Sequence, residues 1–213
     1  MGMVDHSNRR YLAIAGALLF IAGIGAVLGI ITSETLYPGY NTAQEISDLG
    51  ATRPPDSIIH QPSATIFNTT MIIAGLFVVG AAAFLFKAAI NRPHALVLAF
   101  FGFSVTGVGI FPGNYGDLHA IIALLTFVSG GVAAILTFRL TASPFRCFSA
   151  ILGLIALAVL LLYSVTGQSG PFAILGPGGV ERWIVYPVVL WLTGFGGYLM
   201  GSADGNLGEG LNA

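Results

Sequence analysis

Three short stretches of this sequence hold side chains that could do chemistry. Asn114-Tyr115-Gly116-Asp117-Leu118-His119 sets a carboxylate two residues before an imidazole. Asp117 stands where an N-cap would, favoured by unpaired amides and the helix dipole, and His119 follows within the first turn. Such a histidine could be a general base or a metal ligand, or could simply lock a loop to a helix through one hydrogen bond. Glu181-Arg182-Trp183 places a carboxylate beside a guanidinium fork that fits a phosphate or carboxylate. The plainer alternative is an interface anchor, with Arg182 snorkelling beside Trp183 or pairing with Asp48 or Asp117. Glu45, Ser47, Asp48, Arg53, Asp56 and His60 form a third group, and Asn68 stands a few residues beyond it.

Zinc needs three protein ligands, and His60 and His119 with one of Asp48, Asp56 or Asp117 could supply them. No HxxH or HxxxH spacing exists, and Cys147 is the single cysteine. The expectation is therefore no metal and no cofactor. Gly176-Pro177-Gly178-Gly179 lacks the strand and lysine of a phosphate-binding loop and reads as a turn.

The elements that must position these groups follow from composition. Charged residues make up 8% of the chain and hydrophobic ones 55%, whereas a soluble domain carries about 25% charged residues. Water cannot be the solvent for such a surface. The 8 Lys and Arg form no basic patch, which excludes nucleic acid as a partner. Six uncharged stretches are long enough to cross a bilayer as helices: 11–31, 66–86, 95–111, 120–138, 147–166 and 183–203. Ser7-Asn8-Arg9-Arg10 loosely resembles a twin-arginine signal. The apolar run behind it is too long for one, however, and Thr32-Ser33-Glu34 offers no cleavage site.

The fold expected is an all-α integral membrane protein, a single six-span bundle over 1–213. Arg9, Arg10, Lys87, Arg92, Arg139 and Arg146 fall on one side, and only Arg53 and Arg182 on the other. By the positive-inside rule both termini are cytoplasmic, with Asp5, Asp204 and Glu209 in the tails. Segment 32–65 is then a long extracytoplasmic loop. Its apolar anchors Ile46, Leu49, Ile58 and Ile59 and its prolines predict an ordered one, with a helix over 42–49 ended by Gly50. Pro93 and Pro144 are expected to end helices on the cytoplasmic side. Gly130, Gly131, Gly194, Gly197 and Gly201 predict close helix contacts, and could also serve a homo-oligomer. Acidic or basic groups are missing from the middle of every span, which argues against proton-coupled transport.

Glu45-Ile46-Ser47-Asp48-Leu49-Gly50, then Pro54 and Ile66-Phe67-Asn68, Gly109-Ile110-Phe111-Pro112, His119, and Glu181-Arg182-Trp183 with Pro187 together resemble a prokaryotic membrane family. That family is catalogued as domain of unknown function 998. The Ile46–Gly50 run with Pro54, Ile66-Phe67 and His119 is more distantly similar to the Frag/DRAM/Sfk six-span group. The resemblance implies a six-helix protein of a prokaryotic plasma membrane, and the distant group, tied to glycolipid-anchor remodelling and membrane-lipid organisation, implies a lipid theme.

These readings converge on an outward-facing polar pocket that binds or acts on a lipid headgroup or lipid-like ligand, with membrane lipids as partners. In a catalytic version, a lipid-modifying hydrolase or transferase, His119 is the base and Asp48 or Asp117 orients it. Ser47, Asn68, Glu45, His60, Glu181 and Arg182 bind the ligand, with Arg182 as phosphate clamp. A small channel or transporter for a neutral solute and a non-catalytic lipid-sensing or structural protein are the alternatives.

Overall fold

A computed structural model describes residues 6–204; Asp5 and Glu209 lie outside the described residues. Six long helices carry the architecture: α1 (His6–Leu36), α2 (Ser63–Lys87), α3 (Arg92–Ile110), α4 (Asp117–Thr137), α5 (Phe145–Thr166) and α6 (Gly176–Asp204). All six are long and apolar enough to cross a membrane. Several extend past the apolar runs, because a helix continues through the interface where its charges reach water or a partner. Thus α1 includes Arg9, Arg10 and Glu34, and α6 starts at Gly176 rather than near 183.

Each helix packs on its neighbour in sequence, and α6 closes the ring by packing on α1. That closure depends on small residues. A Cβ on Gly16 would lie 2.7 Å from the Gly196 carbonyl oxygen, and one on Gly196 would lie 2.6 Å from that of Gly16. Inside the ring sit Leu19, Leu98, Trp191 and Phe195, whereas Leu96, Phe103 and Leu161 are exposed on its outer face. Only a hydrocarbon surround makes such an outer face favourable. Gly130, Gly131 and Gly194 make their close approaches within this bundle, to Val188, Leu157 and Phe145 respectively.

Since α1 and α6 are antiparallel, the start of α1 and the end of α6 share one end of the bundle, where Arg9, Arg10 and Asp204 line a common hollow. Residues 37–62 cross the opposite end. Three local expectations need correcting. Pro93 and Pro144 open α3 and α5 instead of ending helices, because the missing N–H costs nothing in a first turn; Asn91 caps α3 through the His94 amide at 3.0 Å. The Gly176–Gly179 turn is the first turn of α6. The helix expected over 42–49 shrinks to a 3-10 turn, Ile46–Leu49, and Gly50 closes it at φ −81°, without the left-handed conformation.

Candidate functional site

The site is built from a strap and the helix ends it covers. Ile46, Leu49 and Ala51 point into the bundle and are almost fully buried. Asp48 Oδ2 accepts from the Glu45 amide at 3.2 Å, which tightens the turn. Burial, and then the neighbouring Glu45 charge, hold the Asp48 carboxyl above its ordinary pKa. Burial likewise raises the phenols of Tyr37 and Tyr40, the latter despite the Arg182 charge beside it. Arg53 reaches Glu45 at 3.0 Å, an exposed pair of little energetic weight.

Arg182 fastens the strap. Its Nη1 donates to the carbonyls of Thr42 (3.2 Å), Gln44 (3.0 Å) and Gly178 (2.9 Å); Nη2 donates to Glu34 Oε1 (2.7 Å) and Tyr40 Oη (2.8 Å). The carbonyls of Thr42 and Gln44 are what a helix over 42–49 would have used, and this explains its truncation. Beside it, Gly178 N–H donates to the Ala43 carbonyl at 3.1 Å, and a Cβ on Gly178 would collide with the Gln44 carbonyl. Glu181 completes the fastening from one residue earlier. Its Oε2 accepts from the Ile46 amide in a short hydrogen bond and from the Ser47 amide at 3.3 Å.

Beneath the strap lies a cavity of about 90 Å³, walled by α1, α2, α3, α4 and α6 and roofed by Ile46 and Ser47. Its body is apolar, with Ala22, Met71, Phe101 and Val188 among the walls. Ser47, His119, Thr126 and Glu181 are its polar members. Thr126 donates internally to the Ile122 carbonyl at 2.9 Å. His119, 1% exposed, has Nδ1 2.8 Å from the Phe111 carbonyl, so that nitrogen carries the ring proton. Its Nε2 is therefore an acceptor, and it is buried with no hydrogen-bond partner.

A family model described as Protein of unknown function (DUF998) matches residues 6–198. The chain belongs to this family. No curated protein and no solved structure matches it. The similarity to the Frag/DRAM/Sfk group thus acquires no relative to carry it, and chemistry in this DUF998 member has to be read from its own residues.

Of the residues singled out in the sequence, Ser47, His119 and Glu181 share the cavity wall. Asp117 does not cap α4: Gly116, at φ +59°, occupies the cap position and Asp117 is exposed in the first turn. The backbone carbonyl of Phe111, and neither Asp48 nor Asp117, orients His119. His60 lies edge-on to Tyr37 with ring centroids 4.3 Å apart. Asn68 Oδ1 is buried without a partner, close against Gly50. Arg182 has both terminal nitrogens committed to the chain itself. Glu34 and Tyr40, its partners, went unrecognised in the sequence. So did the alanines and valines that leave the cavity open, because such residues look like ordinary packing.

Proposed function

We propose that this protein binds one apolar chain or ring of a lipid-like amphiphile in the cavity under the strap, polar end against His119 and Glu181. The observation that carries the reading is the His119 Nε2 atom, a buried acceptor without a partner in the wall of an otherwise apolar space. An unmatched buried acceptor costs about 1–3 kcal/mol, which a ligand atom offering a hydrogen would recover. At about 90 Å³ the cavity is of the same order as the roughly 150 Å³ apolar voids that admit benzene. It suits a single slender segment better than a whole headgroup.

Entry from the bilayer fits the same geometry. Ala22 and Ala74 wall both the cavity and a groove on the outer surface between α1 and α2, so two small side chains separate the interior from lipid. The strapped end is taken as extracytoplasmic, since six of the eight basic residues lie at the other end.

Native mass spectrometry of the detergent-purified protein tests the reading. The wild type should carry a co-purified amphiphile as a discrete mass adduct. Ala123→Phe, which fills the cavity one turn below His119, should lose it while remaining folded. Equal adducts on both proteins overturn the proposal.

A further inference from the structure

We infer that the polar end this cavity accepts is an uncharged hydrogen-bond donor, a hydroxyl group, and that carboxylate and phosphate ends are refused. The inference rests on the binding reading above and specifies the chemistry of its ligand.

Three features of the wall decide the chemistry. In its neutral form His119 has its one ring proton on Nδ1, donated to the Phe111 carbonyl, so Nε2 presents a lone pair that needs a donor. Glu181 is also an acceptor. Its Oε2 is held by the Ile46 and Ser47 amides, and among the described residues no hydrogen bond reaches Oε1. Burial opposes ionisation of this carboxyl and the two amide donors favour it; in the ionised form it makes this end of the cavity negative. The third feature is the lack of a compensating cation. Arg182 is the adjacent residue, but its terminal nitrogens serve Thr42, Gln44, Gly178, Glu34 and Tyr40. An anionic head would therefore meet a lone pair and a carboxylate in a medium of low dielectric, where like charges repel most strongly. A hydroxyl can donate its one proton to either acceptor and can also accept from Ser47.

The test uses the full chain in nanodiscs of neutral phosphatidylcholine. Four probes of equal chain length are compared near pH 8, where the acids are ionised: octane, octanol, octanoate and octyl phosphate. Affinity is read by displacement of the native ligand or by the shift in thermal midpoint. Octanol should bind at least about tenfold more tightly than octane, octanoate or octyl phosphate. Glu181→Gln, which keeps an acceptor for the two amides, should bring octanoate to within about threefold of octanol. His119→Leu should reduce the preference of octanol over octane, with Glu181 left as the one acceptor. Wild-type binding of octanoate or octyl phosphate as tight as that of octanol overturns the inference and leaves cavity binding standing. Failure of all four probes to bind overturns the binding reading with it. A Glu181→Gln protein that discriminates as the wild type does also contradicts the inference, and it needs no folded His119 variant.

Discussion

Arg182 Nη2 and Glu34 Oε1 meet at 2.7 Å across the seam where α1 and α6 close the helix ring. The pair joins residues 148 apart in sequence, and the same guanidinium holds two strap carbonyls, the Gly178 carbonyl of its own helix and the Tyr40 hydroxyl. Ring closure and strap attachment are thus one network. The Arg182 side chain is 13% exposed and that of Glu34 26%, so water screens the pair only in part.

Arg182→Ala should release the strap. Breaking a fully buried pair by removing one partner costs about 3–5 kcal/mol, and the partial exposure of Glu34 lowers this to about 2–3 kcal/mol. Arg182→Lys should recover little, because one ammonium cannot span acceptors served by two nitrogens. Chymotrypsin added from the strap side reads the outcome. The wild type should resist, and both variants should be cut after Tyr40, since Pro38 blocks cleavage after Tyr37.

Gly178→Ala should have the same effect without touching a charge. Its Cβ would occupy the place of the Gln44 carbonyl, and overpacking of this kind costs about 1–3 kcal/mol. Equal protease resistance in Gly178→Ala and wild type would show that the strap does not need this close approach.

Strap stability should fall as pH rises through the acidic range. Asp48 has its pKa raised in the folded state, by burial first and by Glu45 second, so the folded protein holds this proton more tightly than the unfolded chain. Its contribution is fully present below the unfolded carboxyl pKa and is lost as pH rises through the raised folded value. Asp48→Asn keeps an acceptor for the Glu45 amide and removes the titration. Thermal midpoints measured across that range should show a smaller pH dependence for Asp48→Asn, with a higher midpoint at neutral pH. Parallel curves would contradict the assignment.

Gly25→Phe tests the route between α1 and α2. Gly25 lines the outer groove, and a Cβ there meets nothing within 4 Å, so the ring can cover Ala22 and Ala74 without disturbing the core. Exchange of a bound amphiphile, followed by stopped-flow displacement, should slow at unchanged equilibrium affinity. An unchanged exchange rate would place the entry elsewhere.

The spans were legible because hydrocarbon forbids charge over their length, a constraint that acts on sequence directly. Helix ends were less so. Glu181 and Arg182 sit inside α6 because Ile46, Ser47, Thr42 and Gln44, more than 130 residues away, supply their partners. The order of the strap could be read from Ile46 and Leu49, which are buried, but its 3-10 form is imposed from α6. His119 could be picked out as polar at a helix start. Its neutral tautomer depends on a backbone carbonyl at Phe111, which no residue type reveals.

Photolabelling with an octanol that carries an aliphatic diazirine tests the central claim most directly, since the label reports where the chain rests. The account predicts adducts on cavity walls such as Met71, Phe101 and Val188, lost in Ala123→Phe. Adducts confined to the outward-facing Leu96, Phe103 and Leu161, at equal yield in both proteins, would contradict it.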